Sequence, residues 1–543
     1  MNKKFGLLIT LFFIAASSFC QKENLLNPPK LVVGIVIDQM RWDFLYRYSS
    51  NYSDGGFNRL QREGFNCDNT LIPYVPTYTA PGHSSIFTGS VPSINGIVGN
   101  DWYDANTKQN MYCTEDSTVQ TVGSSSVLGK MSPRNMWVTT IGDELRLKSN
   151  FRNKVIGISL KDRAAILPAG HAANGAYWYD DTNGSWISST YYQAHLPQWV
   201  QKVNESKYPE KYMALDWNIL LPIQKYTMSS ADNRKYEGKI PGEDSTTFPH
   251  RLSKTGRNKL SAFKYTPYAA TFTFTMAKEA IANEHLGQSG YPDMLTVSIS
   301  STDYMGHTFG PNSVEAEDTY IRLDRDIADF LNYLDKSVGK GNYVLFLTAD
   351  HGAAHVPGFL EENNISAGNF TSSTLTIDLK KMLSEKFGLN KTLIKIQNNQ
   401  LYIDPSEIDD QKKEQSAVEK QIIFFLQSRP EIAYAFSYEN LGATPLPATI
   451  KTMLINGYNP ERSGQMGFIL KPGYIGMGFT GTTHGAWNPY DAHIPLIFFG
   501  NGIKHGTLNR ETYMTDIAAT ITALLKTQMP SGCVGNVITE AFK

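Results

Sequence analysis

The sequence predicts an α/β fold: a doubly wound, mostly parallel sheet flanked by helices, with capping insertions. Apolar runs of strand length recur at Leu31–Ile37, Lys154–Ser159, Met294–Ile299, Tyr343–Thr348 and Ile494–Phe499. Helical periodicity lies between them. It is clearest over Val314–Leu334, where Leu323, Ile327, Phe330, Leu331 and Leu334 form one apolar stripe. Several runs end on acids or acid–imidazole pairs, which places ligand atoms at the carboxyl edge of a buried parallel sheet, where such folds bind their ligands.

The elements follow in chain order. Met1 to Phe5 carries two lysines, Gly6 to Ala16 is almost wholly apolar, and Ser17-Ser18-Phe19-Cys20-Gln21 supplies small residues. This describes a secretory signal over residues 1–20, too short to span a bilayer. Acylation of Cys20 is the rival reading, and bulky Phe19 fits it poorly. The expected product, 21–543, has no transmembrane segment and resides in the periplasm. Fifty Lys and Arg against 51 Asp and Glu leave a net charge of -1, so no charged field points to nucleic acid. The exported chain keeps Cys67, Cys113 and Cys533, which allows one intrachain bridge; Cys67 with Cys113 is the expected pair. Two stretches break the strand–helix rhythm. Residues 178–261, rich in Tyr, Trp, Pro and Asn, read as an insertion capping the sheet edge. Residues 392–476 read as a small α+β excursion, with strands at Leu401–Ile403 and Ala433–Ser437 and a helix over Gln411–Gln427.

The chemistry gathers at the strand ends. Leu31–Ile37 stops at Asp38, Tyr343–Thr348 runs into Asp350-His351-Gly352, and Met294–Ile299 leads to Asp303 and His307, four apart. His484 stands in Thr482-Thr483-His484-Gly485 before the last strand. Three carboxylates and three imidazoles at one rim suffice for two divalent metals, and mixed N and O ligation favours zinc over manganese or iron. Two ions roughly 4 Å apart clamp the attacking and leaving oxygens of a phosphoryl group. His355 reads as a loop or supporting residue, and His83, His171 and His493 read alike. Thr79, in Thr77-Tyr78-Thr79-Ala80-Pro81-Gly82-His83, falls where Pro81 marks the first turn of a helix. Helix N-termini stabilise anions, and a metal would activate the hydroxyl. Thr77, Ser84 and Ser85 are alternatives on local sequence.

Together these residues resemble the alkaline phosphatase superfamily. The ordered match runs Asp38, Thr79 in Thr-x-Pro-Gly-His, Asn100 after Gly99, Asp303-x-x-x-His307, Asp350-His351-Gly352 and Thr483-His484-Gly485. It is nearest to the PafA-type, phosphate-irrepressible branch of Bacteroidetes-like bacteria, which are monomeric periplasmic enzymes with a threonine nucleophile. The resemblance implies two zinc ions, one held by Asp303, His307 and His484, the other by Asp38, Asp350 and His351 with Thr79. It implies that Asn100, Lys161 and Arg163 bind phosphoryl oxygens, and that the substrates are small phosphate monoesters hydrolysed through a phosphothreonine. A monoester dianion gives two cations more charge to stabilise than a diester does. The expected activity is therefore broad phosphomonoesterase. The rivals are a phosphodiesterase or nucleotide pyrophosphatase on the same metals, and a non-catalytic phosphate-binding envelope protein. Sulfatases need a Cys or Ser with a downstream Arg, which Thr79 and His83 do not supply.

Overall fold

The computed structural model describes residues 28–543; the signal segment and Cys20 lie outside the described residues. Its centre is a ten-stranded mixed sheet. Leu31–Ile37 occupies the middle, wholly buried, with Asp293–Ile299 on one side and Tyr343–Thr348 on the other, all parallel. Val155–Ser159 and Gly175–Asp180 continue the parallel order beyond Asp293–Ile299. The uninterrupted Val, Ile and Leu of these strands suit a sheet covered on both faces. Helices supply the cover: Val314–Leu334 turns Leu323, Ile327, Phe330, Leu331 and Leu334 into the core.

Register places the site. Ile37 stands beside Ile299, and Val36 beside Thr348, so Asp38, Ser300 and Ala349 emerge side by side at one edge. Ser298 pairs with Ser159, which brings Lys161 to the same edge.

Several expectations change. The run ending in Phe499 is split: His493–Ile494 joins a small separate sheet, and Leu496–Gly500 lies antiparallel to Tyr343–Thr348. Pro495, which has no N–H to give a ladder, sits at the break. Gly175–Asp180 and Ser185–Ser189 are strands of the main sheet, so the irregular stretch begins after them and not at Trp178. Tyr177, Trp178 and Tyr179 mark this strand, because aromatics suit a pleated buried surface. The helix expected from Gln411 starts at Gln415, since Lys412 takes a positive φ of 52°. Cys67 and Cys113 are free thiols, as is Cys533. Cys67 packs in the main core and Cys113 in a separate cluster with Trp102 and Met136, which keeps the pair apart.

The α+β excursion has its own core. Its sheet of Ile394–Gln397, Gln400–Ile403, Met466–Leu470 and Ile432–Ser437 packs on helices Gln415–Gln427 and Ser372–Phe387. The unit therefore includes a helix that precedes residue 392. No described helix is long and apolar enough to cross a membrane.

Candidate active site

Thr79 opens the helix Thr79–Thr88, after Tyr78 in extended conformation. The helix meets the sheet edge closely: a Cβ on Gly82 would lie 2.5 Å from the Asp350 carbonyl oxygen. Only glycine permits that approach, which is the physical content of the Pro81-Gly82-His83 signature. The Ala80 N–H, one of the helix's otherwise unsatisfied donors, is accepted by Asn100 Oδ1 at 2.9 Å. Anchored by its oxygen, Asn100 keeps its amide NH2 available. The rival hydroxyls of Thr77 and Ser84 donate to the Ala486 and Pro81 carbonyls. Thr79 Oγ1 lies 3.4 Å from His351 Nε2 and 3.5 Å from Lys161 Nζ.

The structure brings the six ligand-type residues together. Asp38, Asp350 and His351 present ligand atoms within 4.8 Å of one another, as do Asp303, His351 and His484. His351 thus belongs to both groups, and its ring stacks on His484 at 3.5 Å between centroids. His307 reaches Asp303 from the more exposed side, with Nε2 3.2 Å from Oδ1. All three imidazoles are oriented alike. His307 Nδ1 donates to the Thr482 carbonyl, His484 Nδ1 to Thr77 and His351 Nδ1 to Gly352, at 2.7, 2.7 and 2.9 Å. Each tautomer is thereby fixed with the Nε2 lone pair facing inward, the arrangement that metal-ligating histidines adopt. Asp38 Oδ1 and Asp350 Oδ2 are buried without a hydrogen-bond partner. Orphaned carboxylate oxygens beside inward lone pairs fit a divalent cation.

The electrostatics agree. Burial, then the Asp303 and Asp350 charges, raise the Asp38 carboxyl well above its ordinary range, against the pull of Lys161. Burial would raise Asp350 too, but His351 and His83 hold it low. Burial, followed by His351 and His307, keeps the His484 imidazole neutral. Lys161 Nζ donates to Asp38 Oδ2 and Asp303 Oδ2, both at 2.6 Å, and so links the two ligand groups beside Thr79. Burial would lower its pKa, but Asp303 and Asp38 raise it above the ordinary lysine value. Arg163, two residues on in the helix Asp162–Ala169, donates to the Tyr112 hydroxyl at 3.0 Å, and its Nε is unpartnered.

Sequence reasoning missed one residue here. Gln39, 4% exposed and at a positive φ of 66°, spans both ligand groups. Its backbone N–H donates to Asp350 Oδ1 at 3.1 Å and its side-chain amide to Asp303 Oδ1 at 2.7 Å. Gly306 makes room, since a Cβ there would lie 1.9 Å from Gln39 Oε1. The only sequence signal was a polar residue directly after a strand-terminal acid. His83 donates Nδ1–H to the Thr79 carbonyl at 2.9 Å and lies 3.3 Å from Asp350 Oδ2. His355 stays outside the centre, bonded to Asn312 and Arg41. His171 and His493 pair with Asp143 and the Asp68 carbonyl.

A mixed α/β sheet that gathers three carboxylates and three imidazoles beside a helix-opening threonine defines a metal-dependent enzyme of the alkaline phosphatase-like class. The chain belongs to the type I phosphodiesterase / nucleotide pyrophosphatase family, whose profile matches residues 32–486. It is 52% identical over 517 residues to alkaline phosphatase PhoV of Synechococcus elongatus, covering 95% of this chain and 93% of the relative. It is 49% identical over 538 residues to alkaline phosphatase PafA of Elizabethkingia meningoseptica, covering 98% of each. The crystal structure of wild-type PafA superimposes with a TM-score of 0.93 at 49% identity, over 96% of this chain and 100% of that one.

Proposed function

We propose that the protein is a broad phosphomonoesterase of the periplasm that uses Thr79 as nucleophile and two zinc ions as cofactors. The observation that carries this reading is the position of Thr79 Oγ1, within 3.5 Å of both His351 Nε2 and Lys161 Nζ, at the meeting point of the ligand groups. Asp303, His307 and His484 would hold one ion, and Asp38, Asp350 and His351 the other. Bound there, divalent ions would lower the pKa of the Thr79 hydroxyl and neutralise charge on the departing oxygen. The rest falls to the chain's own groups. Thr79 attacks phosphorus and carries the phosphoryl group as phosphothreonine until water releases phosphate. The Asn100 amide, the Lys161 ammonium and the Arg163 guanidinium neutralise the phosphoryl oxygens, and the helix N-terminus adds its positive end. Residues 1–20 serve as the export signal, and the enzyme acts as a monomer. Relatives named alkaline phosphatases, about half identical over almost the whole length, support the activity.

The family description favours one second reading, phosphodiester hydrolysis at the same centre. Lys161 argues for the monoester. It is a buried cation, 4% exposed, beside the nucleophile, and a dianionic phosphoryl group exploits such a charge better than a monoanionic diester. Rates on p-nitrophenyl phosphate and its bis-ester, measured after chelation and after zinc add-back, decide the matter. The monoester should be strongly preferred, activity should return with metal, and Thr79→Ala should abolish turnover while keeping the metal. Preference for the diester would overturn the proposal.

A further inference from the structure

Between the α+β excursion and the loop that carries His484 lies a cavity of about 510 Å³. That size is typical of pockets that enclose small organic ligands. Tyr78 and His484 belong to its wall, so it adjoins the nucleophile helix and the ligand group that contains Asp303. Thr79, Asn100, Lys161 and Arg163 do not line it, so the phosphoryl-binding groups lie outside.

Three properties define what it takes. Its lining is rich in aromatic side chains, among them Phe370 and Tyr438 from the excursion and Trp487 from the loop after His484. Neither lysine nor arginine lines it, which makes it a poor place for a second phosphate. Two acceptors on its lining are also left open: Asp491 Oδ1 and Gln397 Oε1 are buried without hydrogen-bond partners. Asp491 is 1% exposed, and its other oxygen accepts the Ala486 N–H at 2.8 Å. Buried polar atoms in native proteins find partners, and here a ligand's N–H or O–H would supply them.

We propose that this cavity binds the organic half of the substrate, an uncharged aromatic or heteroaromatic alcohol bearing hydrogen-bond donors, while its phosphoryl group lies at Thr79. The inference rests on the phosphomonoesterase reading. It adds a preference: esters of such alcohols are better substrates than esters of small aliphatic alcohols or esters that carry a second anionic group.

The test compares adenosine 5′-monophosphate with glycerol 2-phosphate in the zinc-loaded wild type, Tyr438→Ala and Asp491→Asn. Each variant should lose about tenfold in kcat/KM on the adenosine ester, the usual worth of one pocket contact, and stay within about twofold on the glycerol ester. Adenosine should inhibit glycerol 2-phosphate hydrolysis competitively, and less so in the variants. Equal loss on both esters, loss on neither, or non-competitive inhibition would overturn the assignment. Gln397→Ala, on a hairpin of the excursion, repeats the comparison should a core variant fail to fold. Calorimetric titration of adenosine, which carries no phosphate to hydrolyse, into the zinc-loaded protein separates this claim from the activity. Binding without hydrolysis of any ester upholds the cavity and refutes the phosphatase; hydrolysis without binding does the reverse.

Discussion

Replacing Gln39 by alanine should weaken metal binding at the group that contains Asp303. The side-chain amide makes a 2.7 Å hydrogen bond to the Asp303 carboxylate, whereas the bond to Asp350 comes from the backbone N–H and survives any substitution except proline. A hydrogen bond to a charged group is worth roughly 1.5–3 kcal/mol. Lost from a ligand's support, it corresponds to about a ten- to hundredfold fall in affinity, in line with supporting-residue mutations at metal sites. Gln39→Glu should be worse. It sets a second carboxylate against Asp303 in a buried site, and like charges there repel strongly. The backbone gives a further handle, since a φ of 66° at a residue with a side chain is strained. Gln39→Gly relieves that strain yet still loses the amide, so its metal affinity should match the alanine variant. The assay is competition for zinc against a chromophoric chelator, resolved into two binding steps, with phosphatase activity as a secondary readout. Affinity should fall in the order wild type, alanine and glycine variants, then glutamate. Wild-type affinity in the glutamate variant, or equal weakening of both steps, would refute the account of Gln39.

Other expectations follow from the same geometry. Gly82→Ala would force the nucleophile helix off the Asp350 carbonyl, which its Cβ would approach to 2.5 Å. A displacement of about 1 Å at reacting atoms costs on the order of a hundredfold in kcat, while the circular dichroism spectrum should be retained. Lys161→Ala should lower kcat/KM for the monoester by far more than for the diester; equal losses would remove the lysine from any role in discrimination. Stability should also depend on pH through His250, which lies between Glu243 and Glu315. Burial lowers its pKa, but the two carboxylates outweigh this and raise it to about 9. A raised folded-state value means that the contribution is fully present below pH ~6.5, the unfolded value, and is lost as the pH climbs through 9. The size is on the order of 3 kcal/mol, so urea midpoints should fall across that window in the wild type and less steeply in His250→Gln.

Much of this was legible in the chain because the site is built from strand ends. A buried parallel strand must be continuously apolar, so the acid that stops it stands out: Asp38 after Leu31–Ile37, and Asp350 after Tyr343–Thr348. Register then does what local sequence could not promise, setting Val36 beside Thr348 and Ile37 beside Ile299. The misses have local physical causes. Pro495 divides an apolar run that reads as one strand, and the strand around Trp178 reads as irregular because aromatic content hides its period. Cys67 and Cys113 are close in sequence but belong to different cores. Gln39 was invisible because its role depends on a left-handed turn and on the empty space at Gly306, neither of which has a one-residue signature.

The central claim is that Asp38, Asp303, His307, Asp350, His351 and His484 assemble a two-ion centre at the Thr79 hydroxyl. Anomalous scattering at the zinc edge from crystals of the metal-loaded protein tests it directly. The account predicts two peaks roughly 4 Å apart, one against Asp303, His307 and His484, the other against Asp38, Asp350, His351 and Thr79 Oγ1. A single peak, or peaks remote from that hydroxyl, would contradict it.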